Sequence, residues 1–161
     1  MAAGSTYTPL ATVTASGSGL TQLIMSSIPS TYTDLILVGN IGTTFVGVNG
    51  YLQFNGDTGT NYSWTRILGD GSAASSSRTA TTNGINYLTN SYNAIICHIQ
   101  NYSNSTTYKT ALVRSNNPSN YVTAAVGLWR NTAAITSITV DMDSNYIPAG
   151  STFTLYGIAA A

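Results

Sequence analysis

The chain has 161 residues, of which 43% are hydrophobic and only 6% are charged, and its formal net charge is zero. Globular domains usually carry about a quarter charged residues. Glutamate is absent and lysine occurs once, so the residues that normally fill exposed helix faces are missing. The composition therefore favours strands. It argues against phosphate-binding or proton-transferring enzymes and against nucleic acid as a partner.

Length predicts one folded domain, which we place at residues 10–161 behind an N-terminal arm at residues 1–9. The first residues lack the charged and apolar regions of a signal peptide. No apolar run is long enough to cross a bilayer, so no membrane partner is expected. The single cysteine, Cys97, excludes an internal disulfide. We expect synthesis in a host cytoplasm, followed by a soluble existence or incorporation into an assembly.

From Leu10 onward, turn residues separate short strand candidates. The continuous apolar run at 34–39 is typical of a strand buried on both faces. Asn49-Gly50 indicates a hairpin, or else a bulge in one strand, and the Ser/Thr-rich stretch 69–84 is predicted to be a loop or flap. The strand candidates are 9–15, 20–28, 34–39, 44–54, 62–68, 93–100, 106–115, 121–130, 134–142 and 151–158.

Roughly eight to ten short strands with regular turn signals predict an all-β fold, an antiparallel β-sandwich that is jelly-roll-like. The sequence does not determine strand order, so an immunoglobulin-like sandwich stays open as the alternative. No stretch has the 3.6-residue period of an amphipathic helix.

Cys97 and His98 are adjacent, but neighbouring residues of a strand point to opposite faces. We therefore expect Cys97 to share a face with Ile95 and Ile99, and we expect no catalytic Cys–His pair. One histidine and one cysteine cannot form a structural zinc site. No catalytic residue and no cofactor is predicted.

Asp141, Asp143 and Asn145 match the first half of a calcium-binding loop. Tyr146 and Thr152 stand where that loop needs glycine and a bidentate glutamate. We therefore interpret the segment as a polar turn and predict no metal site.

The aromatic side chains allow two interpretations. Trp64, Trp129 and the 11 tyrosines could stack on sugar rings if they were exposed. On a sheet, most such residues belong to the core or to half-buried positions, and we favour that reading for any one of them.

Several segments together resemble a family of β-rich virion proteins of tailed phages, including phages of cyanobacteria. The resemblance extends from about Ile28 to the end of the chain. Within that family, similar modules occur in tail fibres and as free-standing proteins that decorate or cement capsids. The segments are IPSTYTDLILVG (28–39), YLQFNGDTGTNYSWTRILGDG (51–71), IQNYSNSTTYKTALVRS (99–115), GLWRNTAAITSITV (127–140) and AGSTFTLYGI (149–158).

The resemblance implies a structural virion protein on the surface of a phage capsid. The β-region follows Met1 within a few residues and without a stalk, which favours a head decoration or cement protein over a fibre. The resemblance to such proteins implies that this chain forms a homotrimer and binds the major capsid protein. The expected capsid-binding arm contains Ala2, Tyr7, Pro9 and Leu10. The alternative is a tail-fibre or receptor-binding module that contacts glycans through its aromatic residues and the 69–84 loop.

Overall fold

A computed structural model of the chain describes residues 6–17, 20–41, 49–89, 93–117, 121–142 and 146–159. These ranges contain twelve β-strands. The strands are β1 (Tyr7–Thr14), β2 (Gln22–Met25), β3 (Asp34–Ile41), β4 (Asn49–Phe54), β5 (Tyr62–Gly69), β6 (Ala74–Thr82), β7 (Ile85–Thr89), β8 (Asn93–Gln100), β9 (Lys109–Asn117), β10 (Tyr121–Trp129), β11 (Ile138–Met142) and β12 (Thr152–Ile158).

The strands form two antiparallel sheets that pack as a sandwich. The large sheet has the order β1-β12-β3-β8-β9-β10-β5-β6, and the small sheet has the order β2-β11-β4-β7. The hairpin β9–β10 separates β8 from β5. The first four strands of the large sheet, β1-β12-β3-β8, and the small sheet, β2-β11-β4-β7, have the order of the two four-stranded sheets of a jelly roll, and the hairpins β9–β10 and β5–β6 extend the large sheet. The predicted fold class is therefore confirmed, and the jelly-roll order is the one observed.

Alternating side chains on the facing strands build the core. Leu35 and Leu37 of β3 are fully buried, and so are Ile95, Cys97 and Ile99 of β8. From the small sheet, the core takes side chains of β2, β4, β7 and β11. These are Leu23, Met25, Leu52, Phe54, Ile85, Ile138, Val140 and Met142.

Aromatic residues join the two sheets at one end of the sandwich. The ring of Phe54 on β4 lies 5.6 Å from Trp129 on β10, centroid to centroid, and Trp129 stacks on Tyr62 at 6.2 Å. The backbone N–H of Phe54 donates a hydrogen bond of 2.9 Å to the Tyr62 hydroxyl. The small sheet is thus held to the large one by packing and by a buried polar contact.

Two predicted local features differ from the structure. The stretch 69–84 is not a loop along its length, because β6 occupies Ala74–Thr82 and pairs with β5 as the edge of the large sheet. The Asn49-Gly50 hairpin is also wrong, because both residues lie in β4 and pair with β7. The register shifts between Gly50 and Tyr51, which agrees with the bulged-strand alternative.

The N-terminal segment also differs from the predicted arm. β1 begins at Tyr7 and pairs with β12 along the edge of the large sheet. Residues 7–9 therefore belong to the sheet, and Leu10 packs against the core. Pro9 can be accommodated because an edge strand leaves some backbone N–H groups without a partner strand.

Candidate interaction surface

The large sheet has one face against the small sheet and one facing outward. We call the outward one the outer face, and its centre is apolar rather than polar. Six of its large side chains have exposed fractions between 40% and 63%. The apolar residues of the outer face are Ile36, Val38, Ile67, Ile96, Leu112, Val122, Ala124 and Val126.

Strand register makes these residues neighbours across the sheet. In one row, Ile36 lies opposite His98, His98 opposite Leu112, and Leu112 opposite Val126. In the adjacent row, Val38 lies opposite Ile96, whose partner on β9 is Arg114. The apolar side chains therefore form one patch across β3, β8, β9 and β10, interrupted by His98 and Arg114, rather than scattered exposed positions.

The outward side of the small sheet is different in character. Ile24 on β2 is 59% exposed, but its partner on β11 is Thr139, and Thr139 lies opposite Gln53 of β4. An isolated exposed isoleucine in polar surroundings is ordinary for a soluble protein. The concentration of apolar residues on the outer face is therefore a local property of the large sheet.

The outer face contains one internal ion pair. His98 Nε2 lies 2.8 Å from Asp34 Oδ2, and Asp34 Oδ1 accepts a hydrogen bond of 2.7 Å from the backbone N–H of Asn101. Both oxygens of the carboxylate are thus engaged within the chain. The contact fixes the imidazole on the surface and gives both carboxylate oxygens a hydrogen-bond partner.

Arg114 lies beside this pair, at the wall of a shallow concavity of about 470 Å³. Its cross-strand neighbours are Ile96 and Ala124. Within the described ranges, Arg114 has no ion-pair or hydrogen-bond partner. The concavity is mainly apolar, and its lining includes Tyr7, Ile36, Ile96, His98, Leu112 and Arg114.

The predicted arm residues do not form one group. Ala2 lies outside the described residues. Tyr7 is 54% exposed and packs edge-to-face on Tyr156 with ring centroids 6.3 Å apart, at the margin of the outer face. Pro9 lies opposite Tyr156 in the register, whereas Leu10 is partly buried and packs against the core.

Cys97 and His98 lie on opposite faces of β8, as expected. Cys97 is completely buried between Ile95 and Ile99, and burial raises the pKa of its thiol from 9.0 to about 12. His98 is on the outer face with Asp34. The two side chains therefore cannot act as a pair, because the sheet separates them.

Lys109 is a buried charged residue that the sequence did not single out. It is 1% exposed, and its Nζ donates hydrogen bonds to the carbonyl oxygens of Thr107 at 2.8 Å and Thr132 at 2.9 Å. Burial lowers the pKa of the amine. The ammonium group connects two loops at one end of the sandwich, which is a structural role.

Neither tryptophan is fully exposed to solvent. Trp129 is 1% exposed, and its Nε1 donates a hydrogen bond of 2.7 Å to Asp57 Oδ2. Trp64 is half-buried, and the Arg66 guanidinium lies 5.1 Å from the centre of its ring. Tyr108 and Tyr146, by contrast, are exposed.

No family model and no curated protein matches this chain. Among the described residues, no three histidine, cysteine or acidic side chains are grouped so that they could hold a metal ion. The calcium-loop pattern cannot be compared in full, since residues 143–145 lie outside the described ranges. In the same described part of the chain, no helix is long and apolar enough to span a membrane.

Sequence reasoning did not identify the outer face, although the signal is present. The segments NAIICHI (93–99) and TALV (110–113) contain apolar residues in both alternating sets of positions. A strand with one face in solvent normally shows polar residues in one of those sets. Recognising the pattern in several neighbouring strands requires the strand order, which the sequence left open.

Proposed function

We propose that this chain is a structural virion protein, a capsid cement or decoration protein that binds the outside of a phage head. Its direct partner is the major capsid protein, and it is carried on the shell as a homotrimer. It bridges neighbouring capsid subunits, so it stabilises the assembled shell without performing chemistry or requiring a cofactor. A protein that binds only the assembled state shifts the equilibrium toward that state by mass action.

The observation that carries this proposal is the apolar outer face. Soluble monomers rarely expose a contiguous apolar patch larger than a few hundred Å². A neutral molecule with such a patch is better suited to a permanent place in an assembly than to free existence at high concentration. The segments that resemble phage virion proteins extend over most of the strands that form the sandwich. This resemblance is the reason for proposing a phage capsid as the assembly.

The test is the number of copies in purified particles, measured by quantitative mass spectrometry against the major capsid protein. We expect a ratio near one to one, or a simple fraction set by the symmetry of the shell. A handful of copies per particle would instead support the tail-fibre or receptor-binding alternative, in which the exposed Tyr108 and Tyr146 are candidate glycan contacts. Absence from particles would contradict both.

The same copy-number measurement on a truncated chain tests whether the N-terminal arm anchors the protein. Deleting residues 2–10 would remove part of β1 and disturb the sheet. Deleting only residues 2–5 leaves β1 complete. If the arm anchors the protein, this shorter deletion lowers occupancy on the shell, while circular dichroism of the free protein stays unchanged. Full occupancy would show that residues outside 2–5 hold the protein on the shell.

A further inference from the structure

The central strands of the large sheet have the composition of strands that are covered on both sides. On β3, Leu35 and Leu37 are fully buried, whereas Ile36 and Val38 point the other way. β8 repeats the arrangement, with Cys97 inside and Ile96 outside. Strands with apolar residues in both sets of positions are typical of sheets packed on both faces. No described residue covers the outward set here.

We propose that a second copy of this chain covers the outer face, so that the protein self-associates sheet to sheet through β3, β8, β9, β10 and β5. This inference deepens the proposed function, because it assigns a surface to the oligomer that a particle would carry. A face that packs on its own copy makes a two-fold contact between a pair of subunits, so the threefold contact of the proposed trimer would use a different surface.

The area of the outer face is sufficient for a stable contact. Five strands spaced by about 4.8 Å, each extending about 26 Å, give a projected area of roughly 600 Å². Side-chain relief makes the accessible area larger than this projection. A specific interface of standard size buries about 800 Å² on each partner. The outer face as a whole, with its polar margins, is therefore comparable in area to one side of a standard interface.

The charges of the outer face favour a second copy over a strongly charged partner. Near the centre of this face, Arg114 is a cation and Asp34, hydrogen-bonded to His98, is a carboxylate, so the face has no strong charge of one sign. One arginine is too little to steer an acidic protein by a field of one sign. Arginine is also enriched in protein interfaces, where its planar group stacks on neighbouring side chains.

The net charge of the whole chain supports the same occupant. Because it is zero, two copies approach without long-range repulsion. Two sheets that pack face to face usually lie about 10 Å apart, with their strands within about 30° of alignment. Closed symmetric association is also the usual arrangement of soluble oligomers.

The experiment compares the mass in solution of three purified proteins by sedimentation velocity over a range of concentrations. The first is the wild-type chain. The second is Ile96→Lys, which places a second cation directly opposite Arg114 on the outer face. The third is Ile24→Lys, the matched control, which makes the same change at an exposed strand position on the small sheet. Circular dichroism establishes that each variant is folded.

We expect a wild-type oligomer whose dissociation constant rises at least about tenfold in Ile96→Lys and is unchanged in Ile24→Lys. If Ile96→Lys does not fold, Val126→Lys makes the same test one row away on β10. A monomeric wild-type chain overturns the inference, and so does an oligomer that both outer-face variants leave intact. Either result leaves the copy-number measurement unaffected, so the proposed function stands or fails separately.

Discussion

The carboxylate of Asp57 accepts hydrogen bonds from three groups at one end of the sandwich. Trp129 Nε1 and Asn61 Nδ2 donate to Oδ2 at 2.7 and 2.9 Å, and the backbone N–H of Gly59 donates to Oδ1 at 2.9 Å. Partial burial by itself raises the pKa of Asp57, but these hydrogen bonds outweigh it and leave the pKa below 3.8. One side chain thus joins the turn after β4 to the end of β10.

Asp57→Ala should lower the free energy of unfolding by about 2 kcal/mol, because the buried Trp129 N–H loses its acceptor. Asp57→Asn is the matched control, since its carbonyl oxygen can still accept that hydrogen bond. Urea unfolding at neutral pH measures both. Equal stability of the two variants would show that the hydrogen bond to Trp129 contributes little.

Wild type and Asp57→Asn should also differ in how their free energy of unfolding depends on pH. The folded-state pKa of Asp57 is depressed, so its contribution is complete above 3.8 and is lost as the pH falls through the folded-state value. Wild-type stability should therefore fall more steeply than that of Asp57→Asn below pH 3.8.

At the scale of elements, the contact between β10 and β7 sets how closely the two sheets approach. Gly127 on β10 faces Ile85 on β7, and a Cβ at position 127 would collide with the Ile85 side chain. Gly69 on β5 is a useful contrast, because its added Cβ would meet only Val122 at an ordinary 3.9 Å. Both glycines lie within strands of the large sheet.

Gly127→Ala should cost about 2 kcal/mol in the free energy of unfolding, because the sheets must separate or Ile85 must leave its preferred rotamer. Gly69→Ala should change the free energy of unfolding by less than about 0.5 kcal/mol. Thermal unfolding of both variants provides the measurement. Similar losses of stability in the two variants would indicate that the contact between Gly127 and Ile85 does not limit how closely the sheets approach.

Much of the strand pattern could be predicted because core strands carry apolar residues at regular positions. The β8 prediction, 93–100, matches Asn93–Gln100, and the prediction at 62–68 matches Tyr62–Gly69 to within one residue. β6 was missed because its edge position requires no core contact, so its Ser/Thr sequence has no apolar period. β7 was missed because five residues are too few to establish one.

The interaction surface depended on information that is not local. Each of Ile36, Ile96, Leu112 and Val126 could be recognised individually as an apolar strand residue. Their assembly into one patch depends on the pairing of β3 with β8, two segments far apart in the chain, which places β3 beside the consecutive strands β8, β9 and β10. Composition was enough to predict an all-β fold, but the outer face required the sheet order.

At the scale of the whole molecule, buried groups with raised pKa values determine how stability changes at alkaline pH. The pKa of Cys97 is raised to about 12, and burial also raises the pKa values of Tyr62 and Tyr102. For a group whose folded-state pKa is raised, the stability it contributes is complete below the unfolded-state value and is lost as the pH rises toward the folded-state value.

We therefore expect stability to fall as the pH rises from 9.0 to about 12, with Cys97 alone contributing a slope of about 1.4 kcal/mol per pH unit. Cys97→Val removes that titration while keeping an apolar side chain, so its decline should be shallower by this amount. Denaturant unfolding at a series of alkaline pH values provides the comparison. Parallel plots of stability against pH for wild type and Cys97→Val would contradict a raised pKa for the Cys97 thiol.

The burial of Lys109 and Cys97 also protects both side chains from common labelling reagents in the folded chain. The chain has a single lysine and a single cysteine, and the sandwich encloses both. Succinimidyl esters and maleimides that target these side chains can therefore modify them only when the fold opens. A cysteine introduced on the surface would be the one thiol that reacts in the native state, giving a uniquely placed fluorophore, while the slow modification of Cys97 would count opening events.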